Sequence, residues 1–111
     1  MGTLQASLAP TERPTTADFY WAAGLFEGEG HARQVRKGYP GEQAQLGQKD
    51  PEVLYRVKAL FGGNIYHYGS HCYLWNLSGA RARGFLMSIY GLLSHRRQEQ
   101  IRKAMCLGEF A

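Results

Sequence analysis

The stretch Ala22-Ala23-Gly24-Leu25-Phe26-Glu27-Gly28-Glu29-Gly30 decides how this chain is read. Its front half is small and apolar, so another helix can approach it closely. Its back half puts two carboxylates, Glu27 and Glu29, at a helix C-terminus, where the macrodipole disfavours negative charge. A positive partner is expected there. A divalent cation resolves the conflict, because Mg²⁺ is typically held by one or two carboxylates together with water and phosphate oxygens. The glycines at 24, 28 and 30 lack the spacing of a phosphate-cradling GxGxxG loop.

Working outward, Thr15 or Thr16 caps the helix that carries this stretch. Two extended runs follow, His31 to Arg36 and Glu42 to Gln48, split by the turn residues Lys37-Gly38-Tyr39-Pro40-Gly41. Asp50 and Pro51 open a second helix whose apolar residues Val53, Leu54, Val57, Leu60 and Phe61 share one face, and Gly62-Gly63 ends it. A second hairpin spans Asn64 to Tyr68 and Cys72 to Ser78, turning at Gly69-Ser70. A third helix from Gly79 carries Phe85, Leu86, Ile89, Tyr90 and Leu93. A fourth, from His95 to Cys106, points Ile101 and Met105 inward and Arg96, Arg97, Arg102 and Lys103 outward. Met87 and Met105 read as core fillers, and Gln98 to Gln100 as helix surface. The order αββαββα, with a further helix, predicts an α+β fold: an antiparallel sheet with helices on one face and the other face open. Residues 1–16 read as a flexible tail before a single domain over 17–111.

The whole chain has 111 residues, 44% of them apolar and 13% aromatic, which excludes a disordered tail, a collagen-like fibre and a disulfide-stapled miniprotein. A chain this size buries roughly two thirds of its unfolded surface, enough for one core with little to spare. No apolar run approaches the roughly 20 residues of a bilayer crossing, and the first 16 residues have no signal-peptide pattern. The expectation is an unexported protein of the cytoplasm, nucleoid or organelle matrix, without a membrane partner. Cys72 and Cys106 form no CxxC pair and read as reduced thiols. Charge is uneven: residues 1–29 hold one basic residue against four acidic ones, and residues 30–111 hold 12 basic against 5 acidic. A basic, Tyr-rich body suits a nucleic-acid partner, since phosphate neutralisation supplies most non-specific affinity.

The nonapeptide resembles the signature of the LAGLIDADG homing endonucleases, read here as AAGLFEGEG. The resemblance continues through Gln48-Lys49-Asp50, Leu60-Phe61-Gly62-Gly63, Trp75-Asn76-Leu77-Ser78-Gly79 and Leu93-Ser94-His95-Arg96-Arg97, and covers roughly residues 17 to 107. It implies a single-motif homodimer whose motif helices pack at the centre, with Ala22, Ala23, Gly24 and Phe26 as the dimer core and Glu27 as a supporting acid there. It implies Glu29 as the active-site acid and Mg²⁺ ligand, with no small-molecule cofactor. Gln48 helps to organise water, and Arg96 stabilises charge at the scissile phosphate, Arg97 being the alternative for that role.

The activity implied is metal-dependent double-strand cleavage of a long, near-palindromic DNA site, as in intron homing. The alternative is a non-cleaving relative that binds DNA or intron RNA as a regulator or maturase. On this pattern the open sheet face reads the major groove through Arg33, Val35 and Lys37, then Gln43 and Gln45, then Asn64, Tyr66 and Tyr68, with Asn76 on the fourth strand. Trp75 and Leu77 then face the core. Taken without the resemblance, Glu29 reads as a solvated carboxylate at a helix end. His67, His71 and Cys72 suggest zinc but offer no fourth ligand at a familiar spacing, and read as hairpin-tip residues.

Overall fold

Thr15 starts the first element. In the computed structural model of the chain, its hydroxyl accepts the Asp18 N–H while the Asp18 carboxylate accepts the Thr15 N–H, a reciprocal cap on amides that no helical carbonyl can reach. The structure describes residues 7–35 and 41–106, the Tyr68 side chain excepted. Helix α1 (Thr16–Glu29) runs without a loop into β1 (Gly30–Gln34). Then come β2 (Glu42–Gln48), α2 (Pro51–Phe61), β3 (Asn64–Tyr68), β4 (Cys72–Ser78), α3 (Gly79–Tyr90) and α4 (His95–Ala104).

The α+β order expected from the sequence is the one found. β1 is shorter than His31–Arg36, and α4 stops before Cys106, whose φ of 59° breaks the helix. Lys37, with most of the turn expected around it, lies outside the described residues. No helix among the described residues is long and apolar enough to cross a membrane.

The four strands pair antiparallel in the order β1-β2-β4-β3. The register pairs Ala32 with Ala44, Ala44 with Leu77 and Leu46 with Trp75, so these residues share the face that the helices cover. Trp75, Leu77, Leu46 and Ala44 are all fully buried there, as the alternation predicts. The ring of Phe85 on α3 ties the layers together: it meets Phe61 of α2 at 4.9 Å, Trp75 of β4 at 5.4 Å and Phe26 of α1 at 6.0 Å, all edge-on. Each such pair is worth about 0.5–1.5 kcal/mol beyond the area it buries. Met105 lies in this core. Met87 does not: it is exposed, because the inward stripe of α3 is Ala82, Phe85, Leu86 and Ile89.

The segment expected to fray is tied down from Ser7 onward. Gly63 N–H donates to the Leu8 carbonyl at 2.8 Å, and the Thr11 and Glu12 N–H groups both reach the Ala59 carbonyl at 2.9 Å. Ser78 N–H donates to the Ser7 hydroxyl at 3.0 Å. This strap explains the glycine pair after α2. At Gly62 (φ 84°) a Cβ would strike the Leu8 carbonyl, and at Gly63 (φ 100°) it would lie 2.7 Å from the Asn76 carbonyl.

Candidate active site and nucleic-acid interface

Opposed residues of an antiparallel pair share a face, so the register fixes which side chains line the open side of the sheet. One row runs His31, Gln45, Asn76, Asn64 across all four strands. Arg33, Gln43 and Ser78 form the row on one side of it, and Gly47, Leu74 and Tyr66 the row on the other. Arg33, Val35, Gln43, Gln45, Tyr66, Leu74 and Asn76 together border one groove.

The structure thus brings together every residue expected on this face except Lys37 and the Tyr68 side chain, which lie outside the described ones, and Asn64, which shares the face but not the groove. Val35 stands just past the end of β1, its N–H bonded to the Gly41 carbonyl at 2.9 Å. Gln43, Asn64 and Asn76 are recessed in the sheet surface, 5–7% exposed, whereas Arg33 and Val35 stand free of it. Gln45 donates to Asn76 Oδ1 at 3.0 Å, so this polar pair is pre-arranged.

Glu29 ends α1 at the border of an adjoining cavity, lined also by Gly47, Gln48, Lys49, Asp50, Cys72, Tyr73 and Leu74. Leu74 belongs to both hollows. Glu29 is exposed, and the amide of Gln48 donates to its Oε1. The junction is tight: a Cβ on Gly30 would overlap the buried ring of Phe26. The turn from helix to strand therefore leaves no room for a side chain at position 30.

Lys49, which sequence reasoning passed over, borders the same cavity as Glu29. Its adjacency to Gln48 in the strand-to-helix turn was the available signal. Asp50 is there too, but its carboxylate caps α2, accepting the Glu52 N–H at 3.0 Å.

Glu27 turns away from this cavity. Its carboxylate accepts the Ser94 N–H and the Ser94 hydroxyl, each at 2.8 Å, which ties α1 to the start of α4. These two bonds, chiefly the backbone one, hold its carboxyl below the usual range, with smaller contributions from Arg97 and Arg96. Glu27, expected as a supporting acid at the dimer core, is thus engaged by Ser94 within its own chain.

Ala22, Ala23 and Phe26, expected beside Glu27 at the dimer core, are at most 4% exposed in the single chain and belong to its own core. The side of α1 left open is Ala17, Tyr20, Gly24 and Gly28, with Trp21 and Leu25 half-buried beside it. Of the expected interface residues only Gly24 lies on it.

Arg96 is exposed in the first turn of α4 and does not line the Glu29 cavity. Arg97, expected outward, is buried, and its Nε donates to the Glu27 carbonyl at 3.0 Å. The positive charge that the C-terminus of α1 calls for is thus supplied by the chain itself. Gln100, read as helix surface, accepts the Ala32 N–H at 3.0 Å. Gln98 also turns inward, donating to the Tyr90 carbonyl at 2.9 Å. Arg83 on α3 pairs with the buried Glu42 at 2.6 Å.

Among the described residues no three His, Cys, Asp or Glu side chains gather as a metal cage. Glu29 instead offers one open carboxylate per chain. That donor set fits an ion that shares its coordination with water and phosphate oxygens, which is how Mg²⁺ is commonly held.

No family model matches the chain, and no curated protein sequence does. Solved structures do match. The homing endonuclease I-CvuI, in complex with the I-CreI target in the presence of Mg with the DNA not cleaved, superposes with a TM-score of 0.62 at 16% identity, over 84% of this chain and 69% of that one. The LAGLIDADG meganuclease I-AabMI, bound to uncleaved DNA, gives 0.62 at 19% identity, over 76% of this chain and 33% of its own. The homing endonuclease I-TnaI gives 0.59 at 18%, over 76% of this chain and 66% of that one. The chain therefore has the α+β fold of these homing endonucleases.

Proposed function

We propose that this chain is a site-specific DNA endonuclease that works as a homodimer and cuts both strands of a near-palindromic site with a divalent cation, Mg²⁺ in the first instance. One observation carries the proposal. Glu29, the exposed acid at the end of α1, lines a cavity with Gln48 and Lys49 that shares Leu74 with the groove on the open sheet face.

Glu29 would hold the ion, which when bound supplies a water of lowered pKa and charge opposite the leaving oxygen. The chain's own groups do the rest. Gln48 fixes the Glu29 carboxylate through its amide. Lys49 offers an ammonium to the scissile phosphate, a role that burial denies to Arg97. Arg33, Gln43, Gln45, Asn64, Tyr66 and Asn76 face the bases, Arg and Gln being residues that can bond base edges in the major groove bidentately.

The homodimer reading is supported by α1, which is as apolar outside as inside. A helix apolar all round is covered on both sides. A second α1 against Ala17, Tyr20, Gly24 and Gly28 meets two glycines where a Cβ would touch nothing, so two backbones can come close. A two-fold there places one Glu29 for each strand and mirrors a palindromic site. This reading puts the protein where DNA is, in a cytoplasm, nucleoid or organelle matrix.

The test joins the DNA sequences that flank the gene, as an uninterrupted allele has them, and incubates that duplex with protein and Mg²⁺. A double-strand break near the junction that disappears in Glu29→Gln is the expected result. Salt-sensitive retention of the duplex without a break favours the non-cleaving reading, a DNA or intron-RNA binder, and the absence of both cleavage and retention removes this DNA as the ligand.

A further inference from the structure

The α1–β1 junction is gripped from α4 by two side chains that do not line the cavity of Glu29. Arg97 Nε donates to the Glu27 carbonyl at 3.0 Å, and its Nη1 donates to Gln100 Oε1 at 3.1 Å. That same oxygen accepts the Ala32 N–H at 3.0 Å, and Gln100 Nε2 lies 3.3 Å from His31 Nδ1. The Glu27 carbonyl belongs to the last turn of α1, where carbonyls lack helical partners. The Ala32 N–H belongs to the edge strand β1. One guanidinium and one amide thus fix the main chain on both sides of Glu29.

Arg97 is only 7% exposed, and the bonds its guanidinium makes within α1 and α4 are to neutral oxygens. A buried charge held this way is a weak source of stability. What the arrangement does supply is geometry, because a planar guanidinium serves two acceptors at set directions, as a lysine ammonium does not.

Resting on the reading of Glu29 as the active-site acid, we propose that Arg97 and Gln100 are positioning residues for it. They hold the α1–β1 junction so that the Glu29 carboxylate meets metal and phosphate in one geometry, and they touch neither. A displacement of about 1 Å in a reacting group can cost about 100-fold in rate, which sets the scale of the effect.

The test compares the full chain with Gln100→Leu, Arg97→Lys and Gln100→Glu, the last of which keeps the oxygen that accepts from Ala32 and Arg97. Three quantities are read: amide exchange at Ala32, the Kd for the rejoined flanking duplex in Ca²⁺, and the single-turnover cleavage rate at saturating duplex in Mg²⁺. Gln100→Leu and Arg97→Lys are expected to slow cleavage by about 10- to 100-fold while Kd moves less than about threefold. Faster exchange at Ala32 should accompany the loss in Gln100→Leu, and Gln100→Glu should recover most of the rate.

A fall in rate matched by an equal loss of binding and folding, without rescue, overturns the proposal. So does an unchanged rate despite faster exchange at Ala32. A wild-type chain that binds the duplex and never cuts it overturns the endonuclease reading and the positioning role with it, and is told apart because the wild type itself is then inactive.

Discussion

Two glutamates separated by a single glycine end the same helix, and the two sides of that helix end treat them in opposite ways. On the α4 side, Glu27 is closed off by two bonds from Ser94, with Arg97 bonded to its carbonyl. On the β2 side, Glu29 is open to solvent and meets one neutral amide, that of Gln48. A carboxylate already supplied with donors and a nearby positive charge has little to offer a metal. One left facing a cavity with a single neutral donor still has its charge to share. Glu27 is engaged in structure and Glu29 is open for chemistry, a distinction that composition alone does not make.

Neutralising Glu29 has the largest expected effect. On the proposed reading, Glu29→Gln removes the carboxylate that would hold the ion and should lower single-turnover cleavage by about 10³-fold, since metal stabilisation of transition-state charge is worth several kcal/mol. Duplex affinity measured without Mg²⁺ should hold or improve, because a negative charge near phosphate is gone. Equal cleavage by the variant would show that Glu29 is as structural as Glu27. Gly30→Ala comes next. The new methyl overlaps the Phe26 ring, itself locked against Phe85, so it should cost about 1–3 kcal/mol by thermal unfolding. Unchanged stability would mean that the junction yields and that Glu29 is not held by it.

The parts of this molecule that were legible in its sequence are those with a strong local period. Asp50, Pro51 and the stripe Leu54, Val57, Leu60, Phe61 specify α2 almost to the residue. The open face was legible because strands alternate strictly from Glu29 onward, which put Arg33, Gln45, Tyr66 and Asn76 together in advance. α1 defeated the same method. Apolar all round, it gives no phase to say that Ala22, Ala23 and Phe26 turn inward while Tyr20, Gly24 and Gly28 turn out. Arg97 was misread because arginines usually face water. Yet it falls on one stripe with Ile101 and Ala104, at spacings of four and three, and that was the signal. The strap from Ser7 is held largely by main-chain bonds, which side-chain identity does not announce.

A smaller effect sharpens the contrast from the other side. Glu27→Gln keeps an oxygen for the Ser94 N–H and loses the charge. It should leave the cleavage rate at saturating duplex within about threefold of wild type, while lowering the thermal midpoint by less than Gly30→Ala does. A loss of rate as large as that of Glu29→Gln would mean that both acids serve the ion.

Acid separates the two sides without any mutation. His31, beside the junction, is held below its ordinary 6.5, first by burial and then by Arg33 and Arg97. Glu27 is held below its ordinary 4.5, chiefly by the Ser94 N–H. Both shifts are downward, so in each window the unfolded chain binds more protons than the folded one, and stability falls as pH falls. The His31 contribution is complete above pH 6.5 and is lost as pH drops through its lowered value. That of Glu27 is complete above 4.5 and is lost at lower pH, together with that of Asp18, which the Thr15 N–H and then its hydroxyl hold below 3.8. The thermal midpoint should therefore decline in two stages. His31→Ala should flatten the first and Glu27→Gln should soften the second. If His31→Ala leaves the upper stage intact, the packing of α4 against β1 is looser than the Gln100 bonds require, and the grip on the Glu29 junction loosens with it.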